Sequence, residues 1–208
     1  MRGWLHFWSF FVSVVTGATL ITVAAATVSG RAALATSVYS VTVLGLFGVS
    51  ALYHRHVWTD PRARVRMKRL DHSMIFVFIA GTYTPFSLLA MDQPTGYIVL
   101  SVVWGGALCG VALKVLWPHA PRWLGVPIYI GLGYVAVFVL PQLEHHAGVA
   151  AIVLLLAGGL LYTVGAIFYA TRWPNPWPAT FGHHEFFHAA TVLAALCHYI
   201  AIWFAIYS

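Results

Sequence analysis

Residues 34–69 read LATSVYSVTVLGLFGVSALYHRHVWTDPRARVRMKR, and the change of character inside this stretch decides the fold. Residues 34–54 form an apolar run of the length that crosses a bilayer as a helix, about 20 residues. Residues 56–69 hold the densest basic segment of the chain. An apolar run that stops at a cluster of arginines marks a membrane boundary, and the polar Ser50 and His54 sit four apart on the last turn before it.

Working outward, comparable runs lie near 5–28, 72–90, 97–116, 123–141, 147–170 and 184–206. Hydrophobic residues make up 61% of the 208, charged residues 8%, and the mean hydropathy is +0.82, which excludes an ordinary soluble globular domain. The expected fold is an all-α integral membrane protein, a seven-helix transmembrane bundle forming one domain over residues 1–208. Short connections leave no room for a soluble catalytic domain or a nucleic-acid module, so function must reside in the bundle or at its rim.

The net charge of +6 is sorted by connection. Arg2, Arg55, Arg62, Arg64, Arg66, Lys68, Arg69, Lys114, Arg122 and Arg172 fall on one side and Arg31 alone on the other, which by the positive-inside rule puts the N-terminus in the cytoplasm and the C-terminus outside. The charge therefore reports orientation, in a cell inner (plasma) membrane, rather than a nucleic-acid partner. The AAATVSG exit of the first segment has the small residues of a signal-peptide cleavage site, but its apolar run exceeds the usual ~7–15 residues and is read as a retained helix. Cys109 and Cys197 fall inside separate helices and are expected to be free thiols. Glycines recur through the helices as packing positions. Pro85 and Pro127 predict bends, with Thr82 and Thr84 able to reoccupy carbonyls freed by Pro85. The segment RWPNPWPATFG, 172–182, reads as an ordered turn that excludes helix, and Trp58, Trp117, Trp123, Trp173 and Trp177 form an inner aromatic belt.

The seventh segment opens GHHEFFH. His184 and His188 are four apart, hence on one helix face about 6 Å apart, a spacing suited to two imidazoles on one metal. The second helix ends at His54, the third begins at Asp71 and the seventh starts from the same face, so Ser50, His54, Asp71, His184 and His188 are expected at one membrane depth. Three neutral histidines with an open position filled by water make a recognised catalytic zinc arrangement, and the expected ligands are His54, His184 and His188. A neighbouring carboxylate can orient or deprotonate that water; Asp71 and Glu185 are both candidates. Asp71 could instead pair with Arg69 or cap the third helix, and Glu185 could occupy the favourable first turn of its own. Individually such histidines are more often hydrogen-bonded interfacial residues; three at one depth in a charge-poor bundle point to metal. His56 and His119 read as loop residues, His145 and His146 as the opposite rim, His72 and His183 as neighbours of the site or interfacial groups. His198 lies about 15 Å beyond His188, too deep for the same site, and His6 could lie beside it. HEFFH also matches the HExxH metalloprotease pattern with Glu185 as base, but no acidic third ligand follows it.

At SALYH (50–54), RLDHSMIFVFIAGTYTP (69–85) and FGHHEFFH (181–188) the chain resembles the hemolysin III family, the bacterial branch of the group that includes the progestin and adiponectin receptors. The likeness runs over almost the full length. It departs at the start, where LHFW retains His6 but lacks the longer amphipathic prelude and the nearby asparagine common in relatives. The resemblance implies Zn2+ on His54, His184 and His188, with Asp71 engaging the bound water and Ser50 close by to steady an oxyanion. Through a wider group that holds alkaline ceramidases, it implies metal-dependent hydrolysis of a lipid amide or ester, with a membrane lipid as substrate or ligand. A receptor or sensor with a structural zinc, an intramembrane protease and a cytolytic protein are the competing expectations. Too few polar residues stripe the helices for a wide aqueous pore.

Overall fold

The computed structural model describes residues 3–117 and 122–208. Arg2 and His119 lie outside the described residues, as do the side chains of Arg122 and Trp123. Seven α-helices follow one another among the described residues: α1 (Trp4–Thr27), α2 (Gly30–Arg55), α3 (Pro61–Leu89), α4 (Gln93–Leu116), α5 (Arg122–Gly133), α6 (Leu140–Thr171) and α7 (His183–Ala205), with a 3₁₀ stretch, Tyr134–Val139, joining α5 to α6. No strand is present among them; Trp177 and Phe181 form an isolated bridge.

Six stretches are long and apolar enough to cross a membrane, where the sequence predicts seven. The difference lies in Leu124–Thr171, a 48-residue stretch that contains both the fifth and the sixth predicted segments. Gly148 interrupts it with φ 82 and ψ 168, a left-handed backbone that favours glycine.

Successive helices pack on one another, α1 on α2, α2 on α3, α3 on α4 and α6 on α7, and α7 closes back on α1 and α3. Phe76, Leu20, Leu143, Ile202 and Val103 are fully enclosed, whereas Val15, Leu34, Phe138 and Leu160 face outward. Small hydroxyl residues such as Thr36, Ser40, Thr42, Ser73 and Thr191 are buried. Apolar side chains facing outward with small hydroxyls buried between helices is an arrangement a lipid solvent tolerates, because backbones then approach closely and hydroxyls find carbonyls. At Gly81 a Cβ would overlap the Thr42 side chain, so glycine lets α2 and α3 touch at mid-membrane.

The largest departure from expectation is the start of α3. Helix begins at Pro61, eleven residues before the predicted segment. Asp60 accepts a hydrogen bond from the Arg62 amide and Pro61 occupies the first turn, a helix-start signal that hydropathy does not register. Asp60, not Asp71, caps this helix. Further along, Thr82 and Thr84 donate to Phe78 and Ala80 carbonyls rather than to the Gly81 carbonyl that Pro85 leaves without its usual amide.

Candidate metal centre

α2 delivers His54 on its last turn, and Gly3 fixes where that turn lies. Gly3 has φ 82, and a Cβ there would sit 2.9 Å from His54 Cβ and 2.8 Å from Arg55 Cγ. The start of α1 thus packs directly against the end of α2, and the Arg55 guanidinium lies 3.9 Å from the Trp4 ring and 4.0 Å from Phe7, directed away from the interior. α7 is delivered by the helix-free turn that precedes it, where Thr180 and Phe181 amides donate to the Trp177 carbonyl and a Cβ on Gly182 would overlap Asn175.

Those two helix ends bring His54, His184 and His188 together. One ligand atom from each lies within 4.8 Å of the others. His54 Nε2 and His184 Nε2 are 3.3 Å apart, and ring centroids are separated by 4.9 Å (His54–His184), 5.1 Å (His54–His188) and 4.6 Å (His184–His188). His188 is 3% exposed. Free Cys109 and Cys197 are elsewhere, so the donor set is purely imidazole. Such a set suits a borderline divalent cation.

Asp71 and Ser50 border the same cavity. The Ser50 hydroxyl is turned toward the Asp71 carboxylate, and His54 lies within its electrostatic reach. Asp71 pairs with His72 Nδ1 at 3.4 Å rather than with Arg69. His72 Nδ1 is also 2.8 Å from the Lys68 carbonyl, and its Nε2 is 3.3 Å from the Tyr169 hydroxyl of α6. The Tyr169 connection was not legible from spacing; the available signal was a tyrosine at the inner end of the sixth segment, at the depth of His72. Glu185 behaves differently from Asp71. It is buried, accepts a hydrogen bond from the Gly182 amide at 2.9 Å, and is absent from the cavity wall. This carboxylate closes the N-terminus of its own helix.

His6 stacks flat on His188, centroids 3.9 Å apart and planes at 2°, and so backs one ligand ring rather than joining the three. His198 meets the Leu155 carbonyl at 3.3 Å and is not one of the three converging histidines. His146 faces Asp92 at 3.5 Å on the opposite rim.

The cavity measures about 870 Å³. Its wall combines the three histidines with Leu46, Phe78, Ile79, Phe86, Leu143 and Leu155. A polar cluster at one place in an otherwise apolar chamber can orient a bond of a lipid while its chain packs elsewhere.

The Haemolysin-III related family model matches residues 1–199. Hemolysin-3 of Bacillus cereus is 34% identical over 142 residues, 68% of this chain and 64% of that protein. The Hemolysin-3 homolog of Bacillus subtilis (strain 168) is 32% identical over 153 residues, 74% of this chain and 68% of the relative. Heptahelical transmembrane protein ADIPOR2 of Oryza sativa subsp. japonica is 30% identical over 182 residues, 79% of each chain. The alignment thus spans about two thirds of the length of the two bacterial relatives. Because the family match runs from the first helix into the last and takes in every histidine-bearing helix end described above, the chain belongs to the hemolysin III family of multi-pass membrane proteins.

Proposed function

We propose that this protein is a zinc-dependent membrane hydrolase that cleaves an amide or ester bond of a lipid. The observation that carries the reading is the convergence of His54, His184 and His188 on the wall of a largely apolar cavity beside the partly buried Asp71 carboxylate. Two zinc-bound nitrogens at 2.0–2.1 Å in a tetrahedral site lie about 3.3 Å apart, and the His54–His184 Nε2 separation is 3.3 Å. Bound there, zinc supplies a Lewis acid for a carbonyl and lowers the pKa of a water.

The chain's own groups account for the rest. Asp71 takes the proton from the attacking water and passes it to the leaving nitrogen or oxygen as the C–N or C–O bond breaks, giving a carboxylic acid and an amine or alcohol with water as the only co-reactant. His72, anchored between the Lys68 carbonyl and Tyr169, holds the Asp71 carboxylate in place. Ser50 donates toward Asp71 or toward the developing oxyanion. The apolar wall keeps bulk water from the bond. Glu185, engaged at its helix terminus, weighs against the protease alternative.

The topology belongs to the same proposal. A straight helix of 48 residues would extend about 72 Å, more than twice a ~30 Å hydrocarbon core, and the break at Gly148 supports reading Leu124–Thr171 as two crossings. That gives seven crossings, a cytoplasmic N-terminus and residence in the inner membrane, and the word heptahelical in the rice relative's name agrees with the count.

Metal analysis of the purified protein beside His188→Ala tests the ligand set: about one zinc per chain is expected in the first and a large loss in the second, and equal zinc in both overturns it. Hydrolysis of ceramides, other acylated lipids and simple esters, with Asp71→Asn as the control, tests the reaction. Absence of turnover with zinc and fold intact would make the ion a structural tie between α2 and α7.

A further inference from the structure

The cavity extends along one face of α3, where Arg64, Lys68, Ile75, Phe78, Thr82 and Phe86 all line it. The twenty-two helical steps from Arg64 to Phe86 correspond to about 33 Å. The wall changes in kind over that length. One end carries Arg64 and Lys68 of α3 and Lys114 of α4; the other carries Phe86, Met91 and Leu143. The histidines and Asp71 lie between them, with Asp71 about 4.5 Å along the axis from Lys68.

Among the described residues no carboxylate forms an ion pair with the cations at this mouth. Among the described residues the ion pairs of the carboxylates run from Asp60 to Arg66, from Asp71 to His72 and from Asp92 to His146, and none reaches Arg64, Lys68 or Lys114. Arg69, also on the wall, has a buried Nε without a hydrogen-bond partner among the described residues. Lys114 comes from a different helix, is half-buried, and occupies space that exists because residue 125 is glycine: a Cβ there would overlap its ammonium group. The positive-inside rule explains an excess of basic residues at this face. It does not explain why Lys114 shares a cavity with Lys68 while Arg62 and Arg66 lie off it.

We infer that the mouth is a subsite for an anionic headgroup, and that the lipid taken by the cavity carries a carboxylate or phosphate at Lys68, Lys114 and Arg64 with an acyl chain along α3 toward Phe86. Arg64 and Lys68 are exposed and Lys114 is half-buried; cations without a carboxylate partner that line one cavity mouth favour an anion, and the apolar continuation favours one carried by a lipid rather than a free ion. In this pose the junction between headgroup and chain passes the three histidines. The inference rests on the hydrolase reading only in taking that lipid as the substrate; binding itself does not depend on turnover.

Two ligands that differ in headgroup charge test it, N-palmitoylglycine and N-palmitoylethanolamine, titrated into the full-length protein in neutral phosphatidylcholine nanodiscs. The wild type binds the acidic ligand more tightly. Each cation removed lowers that preference about fivefold, so Lys68→Gln with Lys114→Gln lowers it about 25-fold, to the share left by Arg64, and leaves the neutral ligand unchanged. Lys114→Gln alone gives the intermediate value and guards against misfolding of the double variant. Arg62→Gln with Arg66→Gln removes the same charge away from the cavity and keeps the preference. Equal binding of both ligands by the wild type, or equal loss in the two double variants, overturns the inference. Displacement of the acidic ligand by an equal concentration of inorganic phosphate would assign the mouth to a free anion and overturn the lipid source. Zinc content and turnover of the neutral amide, measured on the same preparations, separate the two readings. Both intact without headgroup preference defeats only the subsite; preference without zinc or turnover defeats only the hydrolase.

Discussion

His184 and His188 open α7, while His145 and His146 lie in the first turns of α6 at the opposite end of the bundle. The first two share a helix face, are drawn inward and meet His54 from a second helix. The other two are adjacent in sequence, their ring planes stand at 80°, and His146 turns to Asp92 beside a Gln142 that also contacts this carboxylate. Two histidines occur in each place, yet among the described residues only the α7 pair gathers a third imidazole and buries one of its rings. Convergence of helix ends makes the difference, and that convergence depends on backbone approach as much as on the ligands themselves.

The comparison breaks most visibly at its buried side. His188→Ala is expected to lower zinc affinity by more than about 100-fold, beyond the usual effect of losing a group that merely supports a ligand, with a matching fall in thermal stability as the bound ion is lost; metal analysis and melting curves check both. Asp71→Asn keeps the metal and reduces hydrolysis by about 10²–10⁴-fold, the range of a lost general base, read as turnover at constant zinc content. Gly3→Ala touches no ligand nitrogen but forces apart α1 and the last turn of α2. It is expected to cost about 1–3 kcal/mol, from a left-handed backbone and overpacking, and to weaken zinc binding through His54; denaturation and metal titration test whether the two effects appear together. At the other rim, His145→Ala with His146→Ala should change stability by no more than about 0.5 kcal/mol and leave zinc content unaltered. Zinc loss in that variant would erase the distinction between the two ends.

Much of this was legible because a membrane helix has few ways to place its ends. Apolar runs and alternating basic connections were enough to put His54, His184 and His188 at one depth, and the i,i+4 spacing supplied their shared face. Side-chain direction was not available in the same way. Glu185 follows His184 directly, yet its carboxylate returns to the Gly182 amide, because three residues separate a helix cap from the first side chain able to reach it. Asp71 found its partner in His72 and, through it, in α6, a contact across 97 positions of sequence. The start of α3 was missed for another reason: hydropathy treats RARVRMKR as a loop, although arginine, lysine and methionine are good helix formers and Asp60–Pro61 is a strong start. Hydropathy did separate the two halves of Leu124–Thr171, at 123–141 and 147–170, but could not assign the break to the backbone of Gly148.

The early start of α3 has a mechanical consequence. Its 29 residues, about 43 Å of helix, exceed a ~30 Å hydrocarbon core. The excess is a rigid cationic stem carrying Arg62 and Arg66. Sinking that stem would drag fixed charge into hydrocarbon, which sets a limit on vertical sliding. Asp71 lies five residues farther along the same uninterrupted rod, about 7.5 Å deeper. Its depth is thus gauged from the water surface, as a float gauges the line hung beneath it, so that bilayer thinning or thickening is absorbed at the other end of the helix.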